Sequence, residues 1–244
     1  AIEDGGTKLS FEQLAAACRD AARAFIAAGI DKGDRVAIWA PNLWEWVVAA
    51  VGAHGAGAVL VPLNTRLKGA EARYILGKSR ARVLITMDEF LGVRYADMLA
   101  AECGGPSDGR PCDELPALET IVSLRAESAG KDGHRTSWDD FLSHAADVDA
   151  GHAQDRARSL DGEDAADIMF TSGTTGSPKG AVCGHGQNIR AFEAWTELVG
   201  LGEGDRYLIV NPFFHSFGYK AGWLSCLMRG ATALPEAVFD VGRI

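Results

Sequence analysis

Basic clusters, long unbroken apolar stretches and paired cysteine motifs are all missing from this chain of 244 residues, and each absence removes a class of function. With 24 Lys and Arg against 33 Asp and Glu the net charge is -9, and no basic patch is written into the sequence, so nucleic acid is not expected as a partner. The longest apolar stretch, VVAAVGAHGAGAVLVPL, is interrupted by His54 and several glycines and runs into Pro62. It reads as a buried helix and a buried strand, not as a membrane span. The opening AIEDGG has neither Met nor a charged-then-apolar signal pattern; the expectation is a trimmed start, no targeting address and a cytoplasmic setting. Five cysteines (Cys18, Cys103, Cys112, Cys183, Cys226) show no C-x-x-C and no His-partnered metal spacing. Free thiols in a reducing interior are the default expectation. A Cys103–Cys112 bridge across GGPSDGRP is the alternative, disfavoured because cytosolic proteins seldom keep disulfides.

What is present is ordinary for a globular domain: 47% hydrophobic and 23% charged residues, enough for one sizeable core or two small ones. Residues 10–29 predict a helix, with Ser10 as N-cap, Gln13 three residues on, Phe11, Leu14, Cys18, Ala22 and Phe25 along one face, and Gly29 at the close. GDRVAIWAPN then predicts a short buried strand. Helix 43–54, strand 59–61, helix 69–78, strand 82–86 and a helix near 90–101 follow. Short strands that are apolar on both faces, each followed by a helix, describe βαβ units, so the expected fold class is α/β, a layered parallel-rich sheet with helices on both faces. Residues 102–118 and 145–166 read as surface excursions, with a strand at TIVSL and a helical turn at 138–143 between them. Beyond residue 180 the pattern predicts a strand at 181–183, helix 188–199, strand RYLIV, an apolar helix around 217–228 and a strand at 231–234. The last residues, VFDVGRI, read as the opening of another helix, so a fragment is expected.

One stretch stands apart. TSGTTGSPKG, residues 171–180, follows the apolar run DIMF and crowds glycines, hydroxyls and one lysine into a strand-loop-strand setting. Gly173, Gly176 and Gly180 permit close backbone approach, Thr171, Ser172, Thr174, Thr175 and Ser177 add hydroxyl donors, and Lys179 adds a cation suited to outer phosphates. Turns also use these residues, but five hydroxyls, three glycines and a lysine in ten positions exceed what a turn requires. A Walker loop would need Gly-Lys-Ser/Thr opening a helix. Here Ser177 and Pro178 separate Gly176 from Lys179, and an apolar strand follows, so a P-loop NTPase or kinase-like enzyme does not fit.

Thr171 to Gly180 instead resembles the signature of the adenylate-forming (AMP-binding) superfamily of acyl-CoA synthetases, luciferases and peptide-synthetase adenylation domains, with His185 where many members carry a His. NPFFHSFGYKAG is similar to the family's Pro-x-Phe-His-x-x-Gly segment through Pro212, Phe214, His215 and Gly218. The run from GDRVAIWAPN to Pro62, Leu63 and Asn64 looks like its N-terminal segment. The resemblance implies that residues 1–244 are one incomplete N-terminal AMP-binding domain of an acyl-CoA synthetase, with the C-terminal domain absent. It implies ATP, Mg²⁺ and CoA as cofactors and co-substrates, and a small-molecule carboxylic acid as the other partner. It also places Thr171, Ser172, Gly173, Thr174, Thr175, Gly176 and Lys179 around the β- and γ-phosphates, with metal ligands unassigned.

His215 then has two readings, a catalytic group near the acyl carboxylate and α-phosphate, or a hydrogen-bonded core histidine; the matched segment favours the first. His185 reads as a structural residue at a helix start. Phe213, Phe214, Phe217, Tyr219 and Trp223 are expected to combine core packing with a wall of the acyl pocket. Lys220 is expected to snorkel to solvent, with pairing to a polar group on the acid as the alternative. The pattern FFHSFGYKAG resembles actinobacterial ligases for fatty or steroid-derived acids. A fragment would be inactive alone and would self-associate through uncovered apolar faces. The alternatives are a non-catalytic nucleotide-binding fragment, or another adenylate-forming enzyme such as an amino-acid adenylation domain.

Overall fold

The computed structural model describes residues 1–104, 111–126, 134–171, 178–240 and 242. A hairpin of β1 (Ile2–Asp4) and β2 (Thr7–Leu9) opens the chain. Helix α1 (Phe11–Ala27) begins at the reciprocal cap read from the sequence: Gln13 N donates to Ser10 Oγ at 3.2 Å, and Ser10 N donates to Gln13 Oε1 at 2.9 Å. It buries Leu14, Cys18, Ala22 and Phe25, while Phe11 is exposed. Then come β3 (Arg35–Trp39), α2 (Trp44–Gly55), β4 (Val59–Pro62), α3 (Gly69–Ser79), β5 (Ala81–Met87) and α4 (Tyr95–Glu102). After these follow β6 (Thr120–Leu124), β7 (Arg135–Ser137), α5 (Trp138–Ser143), a 3₁₀ turn and α6 (Ala150–Arg158). The glycine-rich stretch joins β8 (Ala165–Thr171) to β9 (Lys179–Gly184). The remainder is α7 (His185–Val199), β10 (Arg206–Ile209), α8 (Ser216–Gly218), a π-turn (Tyr219–Leu224), α9 (Ser225–Arg229) and β11 (Thr232–Pro235).

Seven strands form the main sheet in the order β7-β6-β5-β3-β4-β8-β9, with every pair parallel except the β8–β9 hairpin. Alternation along each strand divides the apolar residues between two cores. Val36, Ile38, Leu60, Val83 and Ile85 pack with α1 and α2 on one face, while Ala37, Trp39, Val61 and Leu84 pack with α3 and α4 on the other. Helices therefore cover both faces, the arrangement expected for parallel strands that are apolar throughout. At the α1–α2 crossing Gly52 has no room for a side chain: a Cβ there would lie 2.5 Å from the Ala21 Cβ.

Several features lay beyond the reading of the sequence. Strands β10, β11, β1 and β2 form a second, four-stranded sheet, clasped by Arg206 donating to both carboxylate oxygens of Glu3 at 2.9 Å. Helix α6 occupies part of an expected surface excursion; Asp149 Oδ1 caps it, accepting from Gly151 N and His152 N. The apolar helix expected around 217–228 is broken, because Gly222 leaves helical geometry at φ -89°, ψ -107° inside the π-turn. Val238–Asp240 are irregular, not helical, and residues 241, 243 and 244 lie outside the described residues. Among the described residues no helix is long and apolar enough to cross a membrane.

The expectation of free thiols throughout is corrected: Cys103 and Cys112 are disulfide-bonded, with Cα atoms 5.2 Å apart. Both are buried in the core beneath α3 and α4 with Leu115 and Leu118, and that packing holds them within bonding range, which compartment statistics cannot weigh. Alkylation of the unfolded, unreduced chain is expected to label three cysteines, Cys18, Cys183 and Cys226. Mass spectrometry would then show five labels after reduction.

Candidate active site

The β8–β9 hairpin pairs Thr171 with Lys179 and Phe170 with Gly180. Gly180 is required by packing, since a Cβ there would sit 2.6 Å from Ile168 Cγ2. Thr171 and Lys179 are both exposed at the mouth of the loop. Ser172, Gly173, Thr174, Thr175 and Gly176 lie outside the described residues, so the phosphate cradle assigned to them is carried by the sequence.

A cleft of about 450 Å³ opens beside the loop, lined among others by Pro62, Asn64, Met169, Thr171, Pro178 and His215. Pro62 ends β4 and Thr171 ends β8, so the cleft lies at the C-terminal ends of parallel strands, where open α/β sheets take ligands. Two motifs about forty residues apart in the sequence thus converge. His215 is exposed, not a core histidine. It caps α8, and its Nδ1 accepts from Phe217 N at 3.3 Å, which leaves Nε2–H as the ring's donor in the neutral form.

The turn that carries His215 is held from below. Asn42, buried just beyond β3, donates through Nδ2 to Asn211 O at 3.0 Å and Ile209 O at 3.2 Å, and its Oδ1 accepts from Phe213 N at 2.7 Å. Gly218 has no space for a side chain, because a Cβ would overlap the carbonyl oxygens of Asn211 and Pro212. Of the aromatic residues expected to wall a pocket, Phe214 lines the cleft and Phe217 is exposed. Phe213, Tyr219 and Trp223 instead pack around Trp46 in the core.

Lys220 corrects its expectation most sharply. It is buried on the π-turn, and its Nζ donates to Asp167 Oδ1 at 3.0 Å, while Asn188 Nδ2 donates to Asp167 Oδ2 at 2.6 Å. A buried carboxylate supplies a partner that outbids the desolvated route to water, and the widened turn brings the lysine inward. The signal was available: Asp167 is a lone acid within a strand read as buried, and a buried charge requires a partner. Asn42 and Asn188 offered no comparable signal, since their partners lie far away or on another element.

His54 and His185 lie next to this pair with ring centroids 5.0 Å apart. His54 Nε2 donates to Ala166 O at 3.0 Å. Burial first, then the neighbouring His185 and Lys220, push the His54 pKa down to about 3, against the opposing carbonyl bond. Burial also lowers that of His185, at the first position of α7. Among the described residues no group of three or more His, Cys, Asp or Glu is gathered to hold a metal ion.

A two-faced, parallel-rich α/β sheet whose strand ends open onto a cleft defines a class of fold, the layered α/β domains that take ligands at that edge. The model of the AMP-binding enzyme family matches residues 1–241, and the chain belongs to that family. It is 41% identical over 248 residues to a 3-[(3aS,4S,7aS)-7a-methyl-1,5-dioxo-octahydro-1H-inden-4-yl]propanoyl:CoA ligase of Rhodococcus jostii, covering 100% of this chain and 46% of the relative. A ligase of the same description from Mycobacterium tuberculosis is 45% identical over 229 residues, covering 93% of this chain and 42% of the relative. Among solved structures, the N-terminal domain of FACL13 from Mycobacterium tuberculosis superimposes with a TM-score of 0.79 at 28% identity, over 100% of this chain and 54% of that one. The anthranilate CoA ligase AuaEII in complex with anthranoyl-AMP gives a TM-score of 0.79 at 26% identity, over 98% of this chain and 42% of that one. The chain thus spans less than half the length of these curated relatives.

Two outcomes are expected of this site. Lys220→Met leaves Asp167 charged and half-paired in a dry interior, at a cost of roughly 3–5 kcal/mol in urea unfolding. For His54 the folded pKa lies below the 6.5 of the free side chain, so its contribution is complete above that pH and is lost as pH falls toward about 3. The unfolding midpoint should decline through that window, with a shallower slope in His54→Gln.

Proposed function

We infer that the chain is the N-terminal part of an ATP-dependent acid–CoA ligase, residues 1–244 forming an incomplete AMP-binding domain whose C-terminal companion lies elsewhere in the protein. One observation carries the reading: Thr171 and Pro178, the flanks of the glycine-rich loop, line the same cleft as His215. ATP then enters with its outer phosphates against the loop. Thr171, Ser172, Thr174 and Thr175 donate hydroxyls, Gly173 and Gly176 offer backbone N–H groups, and Lys179 adds its charge.

The substrate carboxylate oxygen attacks the α-phosphorus, the bond to the β-phosphate oxygen breaks, and acyl-AMP and pyrophosphate form. The CoA thiol, losing its proton, then attacks the acyl carbon and expels AMP. In this reading His215 Nε2–H hydrogen-bonds the carboxylate or an α-phosphate oxygen as charge shifts between them. Mg²⁺ accompanies the nucleotide and neutralises phosphate charge, and no protein ligand for it is drawn from the described residues. Leu67, Ile75, Met169, Phe170 and Phe214 give the cleft an apolar stretch of wall beside the polar Asn64, Glu71 and Ser216, which suits an acid with a bulky apolar body, and the ligases from Rhodococcus jostii and Mycobacterium tuberculosis, named for a fused-ring propanoyl group, favour a steroid-derived one.

Carboxylate-dependent ATP–pyrophosphate exchange tests the reading. The chain alone is expected to stay at background, the complete ligase to exchange, and Lys179→Ala to cut that rate about a hundredfold. Robust exchange by residues 1–244 alone would overturn the fragment reading. Tight ATP binding by calorimetry without exchange in the complete protein would favour a non-catalytic nucleotide-binding module.

A further inference from the structure

The Asp167–Lys220 pair lies outside the cleft and takes no part in the proposed chemistry, yet it joins the two segments that must meet there. Asp167 stands on β8 four residues ahead of Thr171, and Lys220 stands on the π-turn five residues beyond His215. Both are buried, and both carboxylate oxygens are engaged, one by Lys220 Nζ at 3.0 Å and the other by Asn188 Nδ2 at 2.6 Å. The lysine is held in turn. Ser225 Oγ donates to its carbonyl at 2.7 Å, Tyr219 N donates to His215 O at 2.9 Å, and its ammonium lies 5.6 Å from the Tyr219 ring centre.

An apolar pair of similar volume would be as stable or more so at such a site. What the ionic pair adds is direction: a carboxylate bound through both oxygens in a dry interior resists sliding, whereas apolar surfaces slip with little loss. β8 has need of such an anchor. It pairs with β4 at Leu60 opposite Asp167 itself, and on its other side lies the edge strand β9. The neighbouring His54 and His185 bring no anion to compete for the lysine, and His54 is held neutral by burial.

We propose that Asp167, Lys220 and Asn188 are positioning residues that set the distance between Thr171 at the end of β8 and the His215 turn, a role that rests on the ligase reading. Two variants test it in the complete ligase. Asp167→Asn/Lys220→Met removes both charges together, and Asn188→Ala releases one carboxylate oxygen while keeping the ion pair. In the exchange assay the double variant is expected to lower kcat by about tenfold or more, as a misplaced reacting group does, with KM for ATP unchanged. Asn188→Ala should show a smaller loss of the same kind. Wild-type kcat in both folded variants, or a loss confined to KM for ATP, would overturn the proposal.

If the wild-type ligase shows no exchange, the ligase reading fails separately, and hydrogen exchange on the same variants decides the coupling. Joint loss of amide protection in residues 165–171 and 212–224, with α1 and α2 unchanged, supports it. Unaltered protection in either segment refutes it. Should the double variant not fold, Asn188→Ala carries both readouts.

Discussion

Strands buried on both faces keep their side chains out of reach of a ligand along their length, and much of this molecule follows from that constraint. β3, β4 and β5 are lined by apolar side chains above and below, so hydroxyls, imidazole and ammonium can meet a ligand only where the strands stop. Pro62 and Thr171 lie at such stops in the main sheet, and the His215 turn, which follows β10 of the second sheet, meets them at the cleft. Thr171, at the end of β8, is the point at which the chain leaves the sheet and enters the glycine-rich stretch.

Placing two distant segments at one cleft requires something more exact than apolar packing. Asn42 supplies part of it by bonding three backbone groups of residues 209–213 from beneath. Gly218 supplies another part by letting the chain pass within touching distance of the Asn211 and Pro212 carbonyls. The ion pair between Asp167 and Lys220 is the most costly of the three, since desolvation of two charges offsets most of their attraction. The cluster around it, with His54, His185 and Tyr219, concentrates polar groups on the face of the sheet that α2 covers.

Much of this was legible in the chain itself. The cap at Ser10, the alternation of short apolar strands with helices, and the strand-loop-strand form of 165–184 are local patterns, and local patterns survive translation into structure. The resemblance to the AMP-binding family rested on contiguous motifs and was matched over residues 1–241. Features that depend on distant partners were not legible. The second sheet joins Ile2 to Ala233, and the break at Gly222 interrupts a helix whose composition reads as continuous; the Cys103–Cys112 bridge was named only as the disfavoured alternative, and packing beneath α3 and α4 decides for it.

Lys220 marks the boundary between the two kinds of knowledge. By itself the sequence determined the layered α/β class, the glycine-rich hairpin and the family, because hydrophobic periodicity and contiguous motifs act over a few residues. Only the tertiary structure decided that His215 shares a cleft with Thr171, that Lys220 turns inward to Asp167, and that Phe213 and Tyr219 belong to the core. The physical reason is that a charge or a ring chooses between water and protein according to which partner lies within a few ångströms, and folding brings that partner from elsewhere in the chain.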